Sequence, residues 1–207
     1  LPQQVKRPKH NPDNSIQKQT ELWDIHSYNL LNQNAMSNPA DRDVHVLVTP
    51  TVTRLSQRLK SAGQTVAVAE SSTAGLISAK LLAVPGASAY YVGGSVVYTL
   101  ASRKELLQIR KQDVEGLEPL TEPMVRAFAE HARKQLDTTW AIAELGVAGP
   151  AGAPYGHPAG TCVLAVAGPV TSTRTVISGH NNREANMWHF AEQAMILLDQ
   201  ALEEAAR

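Results

Sequence analysis

The chain has 207 residues, of which 43% are hydrophobic and 18% charged, a balance that belongs to a globular chain and not a disordered one. Its 19 Lys and Arg match its 19 Asp and Glu, so the formal net charge is zero and the basic excess of a nucleic-acid binder is missing. The single cysteine, Cys162, excludes an intrachain disulfide and a four-cysteine zinc site and fits a reducing, cytoplasmic setting.

No apolar run approaches the roughly 20 residues that a membrane-spanning helix needs, so no membrane partner is expected. The first residues, Leu-Pro-Gln-Gln, lack the apolar core of a secretory signal. Methionine occurs only at Met36, Met124, Met187 and Met195, so the chain is expected to be a processed or trimmed form.

Residues 1–43 are rich in Pro, Asn and Gln and read as an N-terminal extension, partly helical or extended. Ile16, Leu22, Trp23, Ile25, Leu30 and Leu31 make a weak helical stripe in it, as in an arm packed on the domain or on a partner subunit. Residues 44–207 read as one α/β domain. Val44 to Ala62 reads as a helix, interrupted or initiated near Pro50 and ended by Gly63. Thr65 to Ala69 reads as a strand, and Ala74 to Val84 as a helix, with Ser72 and Thr73 offering cap oxygens. Gly94 to Leu100 reads as a strand and Ala101 to Ile109 as a short helix. A helix starts at Thr121-Glu122-Pro123, with Thr121 as cap, and runs to about Leu136. Strands follow at Trp140 to Val147, Thr161 to Ala167 and Thr173 to Ser178, the last two as a hairpin. Asn182 caps a long terminal helix. Strands alternating with helices predict a three-layer α/β/α sandwich, and the hairpin makes its sheet mixed.

Three segments are candidates for chemistry. In VAVAESSTAG, Val66 to Gly75, a strand ends in Glu70 and hands Ser71, Ser72 and Thr73 to a helix start. The carboxyl end of a strand is where α/β sheets bind ligands, and unpaired N–H groups at a helix start stabilise an anion. A serine there has oxyanion donors close by, although capping alone also explains these hydroxyls. In Gly146 to Gly160, GVAGPAGAPYGHPAG, small residues let the backbone approach a ligand, or form a plain surface loop. It is neither a Walker loop nor a dinucleotide fingerprint. Tyr98-Thr99, Arg103-Lys104 and Arg110-Lys111 place cations near a strand end, fit for a phosphate or for a solvated helix face. The seven histidines show no paired metal spacing, so no metal is expected; His157 in the Gly/Pro loop is the one of interest.

Six motifs in order carry a family resemblance. They are Ala69-Glu70-Ser71-Ser72-Thr73-Ala74-Gly75, Val84-Pro85-Gly86-Ala87-Ser88, Gly94-Ser95-Val96-Val97-Tyr98, Thr121-Glu122-Pro123, Gly146-Val147-Ala148-Gly149-Pro150 and Pro158-Ala159-Gly160-Thr161. From about Val44 to Arg207 the chain resembles the C-terminal domain of the competence/damage-inducible CinA proteins, also found alone as nicotinamide-nucleotide amidases. The resemblance implies hydrolysis of the carboxamide of nicotinamide mononucleotide, or a related small amide, to the acid and ammonia. It implies a small-molecule pyridine mononucleotide as partner, no cofactor and a homo-oligomer.

The resemblance also implies a serine nucleophile in the first motif, which falls on Ser71, and a lysine after the third. The position aligned with that lysine carries Arg103, with Lys104 beside it. Arg stays protonated and is a poor base, and one helical step turns Lys104 about 100° away. Ala74 stands where the pattern has glycine, Ala151 where aspartate is common, and Met187 follows Asn182-Arg183 where the family often has a further arginine. The catalytic set is therefore read as Ser71, Arg103 and Lys104. The substrate-binding set is read as Glu70, Ser72, Thr73, Gly75, Tyr98, Thr99, Gly146, Ala148, Gly149 and Arg183. The alternative is a non-catalytic member that binds a nucleotide or a protein. A third reading is a structural protein assembled through its extension.

Overall fold

The computed structural model describes residues 46–207. The 1–43 extension, with its stripe from Ile16 to Leu31, lies outside the described residues.

Helix α1 spans Pro50–Ala62 and is initiated at the proline, one of the two arrangements read for this segment. Proline pushes the residue before it out of helical geometry, and Thr49 is extended, its hydroxyl accepting from the Val52 N–H. Gly63, left-handed at φ 60°, ends the helix. Strand β1 is Val66–Glu70 and helix α2 is Leu76–Leu82. The helix begins two residues later than read, because Ala74 and Gly75 are left-handed and break the helical path. The capping assignment is corrected as well. Ser72 and Thr73 do not cap α2; the Glu70 carboxylate accepts from the N–H groups of Gly75, Ile77 and Ser78 instead.

Strand β2 is Tyr91–Val96, three residues ahead of the reading at its start and four at its end. It stops early because Thr99 caps helix α3, Leu100–Leu106, in a reciprocal box with Ser102. That helix ends before Ile109, with Gln108 left-handed behind it. Helix α4 is Glu122–Gln135. Thr121 occupies its cap position, yet its hydroxyl donates to the Glu118 carbonyl and caps nothing. Strands β3, Trp140–Val147, and β4, Thr161–Ala167, match the reading; β5 is Ser172–Ile177. Helix α5, Arg183–Ala205, is capped by Asn182.

The sheet order is β2-β1-β3-β4-β5. Strand β1 runs parallel to β2 and β3, and β4 and β5 are antiparallel additions, so the sheet is mixed. Side chains alternate across it. Val66, Val68, Trp140, Ile142 and Leu164 face a core shared with α1, α2 and α5. Ala67, Ala69, Ala141, Ala143 and Ala165 face α4, where short side chains let the helix lie close. These are the three layers of an α/β/α sandwich. Among the described residues no helix is long and apolar enough to cross a membrane.

Candidate active site

Strands β1 and β3 are parallel neighbours in which Ala69 pairs with Ala143. One residue further, Glu70 and Glu144 stand side by side on the same sheet face, both almost fully buried. Two adjacent carboxyls in a core need many donors, and the turn after β1 supplies them. Glu144 Oε2 accepts from the backbone N–H groups of Ser71 and Thr73, each at 3.0 Å. Glu144 Oε1 is hydrogen-bonded to Ser72 Oγ at 2.5 Å, with Cys162 Sγ 3.8 Å away. Glu70 takes its three backbone N–H groups and the Ser78 hydroxyl. The Thr73 hydroxyl lies 2.9 Å from Glu70 Oε2 and 2.9 Å from Glu144 Oε2. Burial pushes the Glu144 carboxyl above the ordinary carboxylate range, against the pull of its donors. Burial, then the Glu144 charge, pushes the Cys162 thiol well up.

Two cavities meet above this turn. The larger, about 750 Å³, has an apolar wall that includes Leu120, Met124 and Phe128, with Arg110 and Lys111 also lining it. The smaller, about 350 Å³, is lined by residues 146–149, Ser72 and Arg183 among others. Ser71, Tyr98, Arg103, Gly146 and Tyr155 line both. Ser71 is 4% exposed, and its hydroxyl has no hydrogen-bond partner among the described residues.

Arg103 lines both cavities and donates from Nε to the Val97 carbonyl at 3.2 Å. Burial draws its proton affinity down from the ordinary guanidinium value. Lys104 lines only the larger cavity; its side chain is 74% exposed and pairs with Glu105 at 3.3 Å. Arg183 donates to the Gly149 carbonyl at 2.8 Å and so ties α5 to the Gly/Pro loop. The Asn186 amide does the same at the Ala148 carbonyl.

The structure thus gathers Ser71, Ser72, Tyr98, Arg103, Gly146, Ala148, Gly149 and Arg183 around the cavities, with Lys104 on the wall of the larger one. Glu70, Thr73 and Gly75 lie beneath, in the buried carboxylate network and at the start of α2. Thr99 serves as the cap of α3. Sequence reasoning missed Glu144, whose signal was one acidic residue in the otherwise apolar strand WAIAELGV. It also missed Phe128 and Tyr155, which carry no local motif. Among the described residues no three His, Cys, Asp or Glu side chains gather as a metal site.

Residues 48–202 match the model of the CinA C-terminal domain family. A CinA-like protein of Parasynechococcus marenigrum (strain WH8102) is 44% identical over 111 residues, which are 54% of this chain and 26% of that protein. A CinA-like protein of Anaeromyxobacter dehalogenans (strain 2CP-1 / ATCC BAA-258) is 38% identical over 70% of this chain and 36% of its own length. The chain therefore spans about a quarter to a third of the curated relatives it matches. Two crystal structures share the fold. The competence damage-inducible protein A from Klebsiella pneumoniae MGH 78578 has a TM-score of 0.69 at 25% identity, covering 74% of this chain and 95% of that one. A CinA superfamily protein from Klebsiella pneumoniae 700603 has a TM-score of 0.70 at 26% identity, covering 79% and 99%.

Proposed function

Because the chain belongs to the CinA C-terminal domain family, we propose that it hydrolyses the carboxamide of nicotinamide mononucleotide, or a related small amide, to the acid and ammonia, with Ser71 as nucleophile. The observation that carries this reading is the Ser71 hydroxyl, unpartnered among the described residues and placed where the two cavities meet. A nucleotide enters the larger cavity with its ring on the apolar wall and its phosphate towards Arg110 and Lys111. Its amide then points at Ser71, and the smaller, polar cavity receives the carbonyl oxygen and the departing ammonia. Attack by Ser71 Oγ forms the C–O bond and puts negative charge on that oxygen; the C–N bond then breaks, and the proton lost by the Ser71 hydroxyl goes to the leaving nitrogen, which departs as ammonia. Arg103 and Arg183 supply positive charge there. Water then cleaves the acyl-enzyme. On this reading the reaction uses no metal, cofactor or nucleic acid and runs in the cytoplasm, in a homo-oligomer, as part of pyridine-nucleotide metabolism.

A second reading, binding without hydrolysis, is supported by Arg103. Its guanidinium is engaged with Val97, and the neighbouring lysine amine is paired with Glu105. Ammonia release from nicotinamide mononucleotide separates the two. Turnover by the intact chain that Ser71→Ala abolishes supports the amidase. Saturable binding with no ammonia release supports the second reading and overturns the first.

A further inference from the structure

We propose that the ring of Tyr155 meets the positively charged pyridinium ring of the substrate and selects N-ribosylated pyridinium amides over amides on an uncharged ring. The inference deepens the amidase reading and rests on its placement of the carboxamide at Ser71.

The place of the substrate ring follows from its bond to the carboxamide. The carbonyl carbon that Ser71 Oγ attacks is bonded directly to the ring, so the ring sits where the two cavities join. Ser71, Tyr98, Arg103, Gly146 and Tyr155 line that junction. The ribose bond on the ring nitrogen makes the ring a cation, and its surroundings repel one. Arg103, Lys104, Arg110, Lys111 and Arg183 line the two cavities, and among the described residues no carboxylate does. An aromatic face, negative by its quadrupole, is what remains to hold the charge.

The lining offers three such rings, those of Tyr98, Phe128 and Tyr155. The Arg103 guanidinium already lies over Phe128. Of the four tyrosines among the described residues, Tyr90 is buried and Tyr91 half-buried, and the two exposed ones both line both cavities. Tyr155 is the one held in place. It sits in a closed turn in which the Gly156 N–H donates to the Ala153 carbonyl at 3.0 Å and the Ala153 N–H to the His157 carbonyl at 2.8 Å. Pro154 restricts the backbone before it, and Gly156, left-handed at φ 94°, completes the turn behind it. The Tyr155 ring stands against that of His157, centroids 5.8 Å apart and planes at 69°. An edge contact of that kind covers at most one of its faces. The other is open to a ligand, and a ring already fixed loses little freedom on binding.

Calorimetry with nicotinamide mononucleotide and with its reduced form tests the proposal. The two share ribose, phosphate and carboxamide, and only the oxidised ring is a cation. The intact chain is used, or Ser71→Ala if the intact chain turns the amide over. Tyr155→Leu keeps apolar contact and removes the aromatic face. It should weaken binding of the oxidised form about tenfold, the value of one desolvated cation–π contact, and that of the reduced form by no more than about twofold. Tyr155→Phe should bind both as the parent does. A melting curve checks each variant. Should Ser71→Ala not fold, the KM for the oxidised form and the inhibition constant of the reduced form in the intact chain carry the same comparison. The proposal is overturned if Tyr155→Leu weakens both forms equally or neither, if Tyr155→Phe behaves as Tyr155→Leu, if Tyr98→Leu alone gives the selective loss, or if the oxidised form does not bind. The expected pattern in a chain that releases no ammonia rejects the amidase and keeps the aromatic contact. Ammonia release with unaltered Tyr155→Leu affinities does the reverse.

Discussion

Arg103 lays its guanidinium carbon 5.3 Å from the centre of the Phe128 ring, against the wall of the larger cavity. The contact is a cation–π stack in a partly desolvated site. It fixes a permanent charge where the family resemblance implies an amine able to give up its proton. Burial that only lowers an arginine's proton affinity can bring a lysine amine into the range of a proton carrier. Arg103→Lys should therefore raise ammonia release at least about tenfold, since positioned acid–base groups contribute roughly a hundredfold or more. An unchanged or lower rate would show that Arg103 does not limit the reaction.

The two cavities predict opposite kinetic signatures. Lys111 lies with the proposed phosphate, in uniform contact with substrate throughout the reaction, so Lys111→Ala should raise KM several-fold and leave kcat nearly unchanged. Arg183 faces the amide end, where charge develops, and anchors Gly149. Arg183→Ala should lower kcat by about tenfold with a smaller effect on KM. Steady-state kinetics on both variants checks the split, and a reversed pattern would invert the substrate's orientation.

Glu144 also predicts a pH dependence of stability. Its folded proton affinity is raised by burial, so the folded state holds its proton over a pH range in which the unfolded chain has lost it. Stability from this group is fully present below the ordinary carboxylate range and is lost as pH rises through the raised folded value. Melting temperatures from pH 4 to 9 should decline across that window in the wild type and flatten in Glu144→Gln. Glu144→Ala should lose on the order of 3 kcal/mol at low pH, because it strands the N–H groups of Ser71 and Thr73, and less as pH rises.

Gly146 offers a steric test of the same network. A Cβ there would collide with Ser72 Oγ and lie 2.7 Å from Glu144 Oε1 and 3.1 Å from the Phe190 ring. Gly146→Ala should cost roughly 1–3 kcal/mol by overpacking and displace Ser72. Denaturant unfolding measures the first effect and ammonia release the second, since Ser72 lines the smaller cavity beside Ser71. A variant of wild-type stability would mean that the turn moves aside freely.

Local patterns made most of the fold legible. Strand β3 was readable because an apolar run is bounded by Thr138-Thr139 on one side and the Gly/Pro loop on the other, and α5 because Asn182 precedes a long helical stripe. The ends of α2 and β2 were not, since they depend on a carboxylate reaching eight residues forward, from Glu70 to Ser78, and on the capping box at Thr99. The serine turn was legible as a candidate site by its motif, and its hydroxyls were read as caps by propensity. That second inference failed because the competing partner, Glu144, is more than 70 residues away in sequence.

By itself the sequence determined the alternation of strands and helices, the neutral charge that confines any anion site to a few local groups, and the serine turn with its arginine neighbour. These follow from side-chain periodicity, from turn residues and from residue identity, all local or additive quantities. The tertiary structure alone decided that Glu70 and Glu144 become neighbours, that Thr73 stands between them, and that Arg103 turns inward while Lys104 turns out. The reason is register. Parallel pairing of β1 with β3 brings distant residues to one level on one face of the sheet, and burial there converts two ordinary glutamates into a single hydrogen-bonded unit under the site.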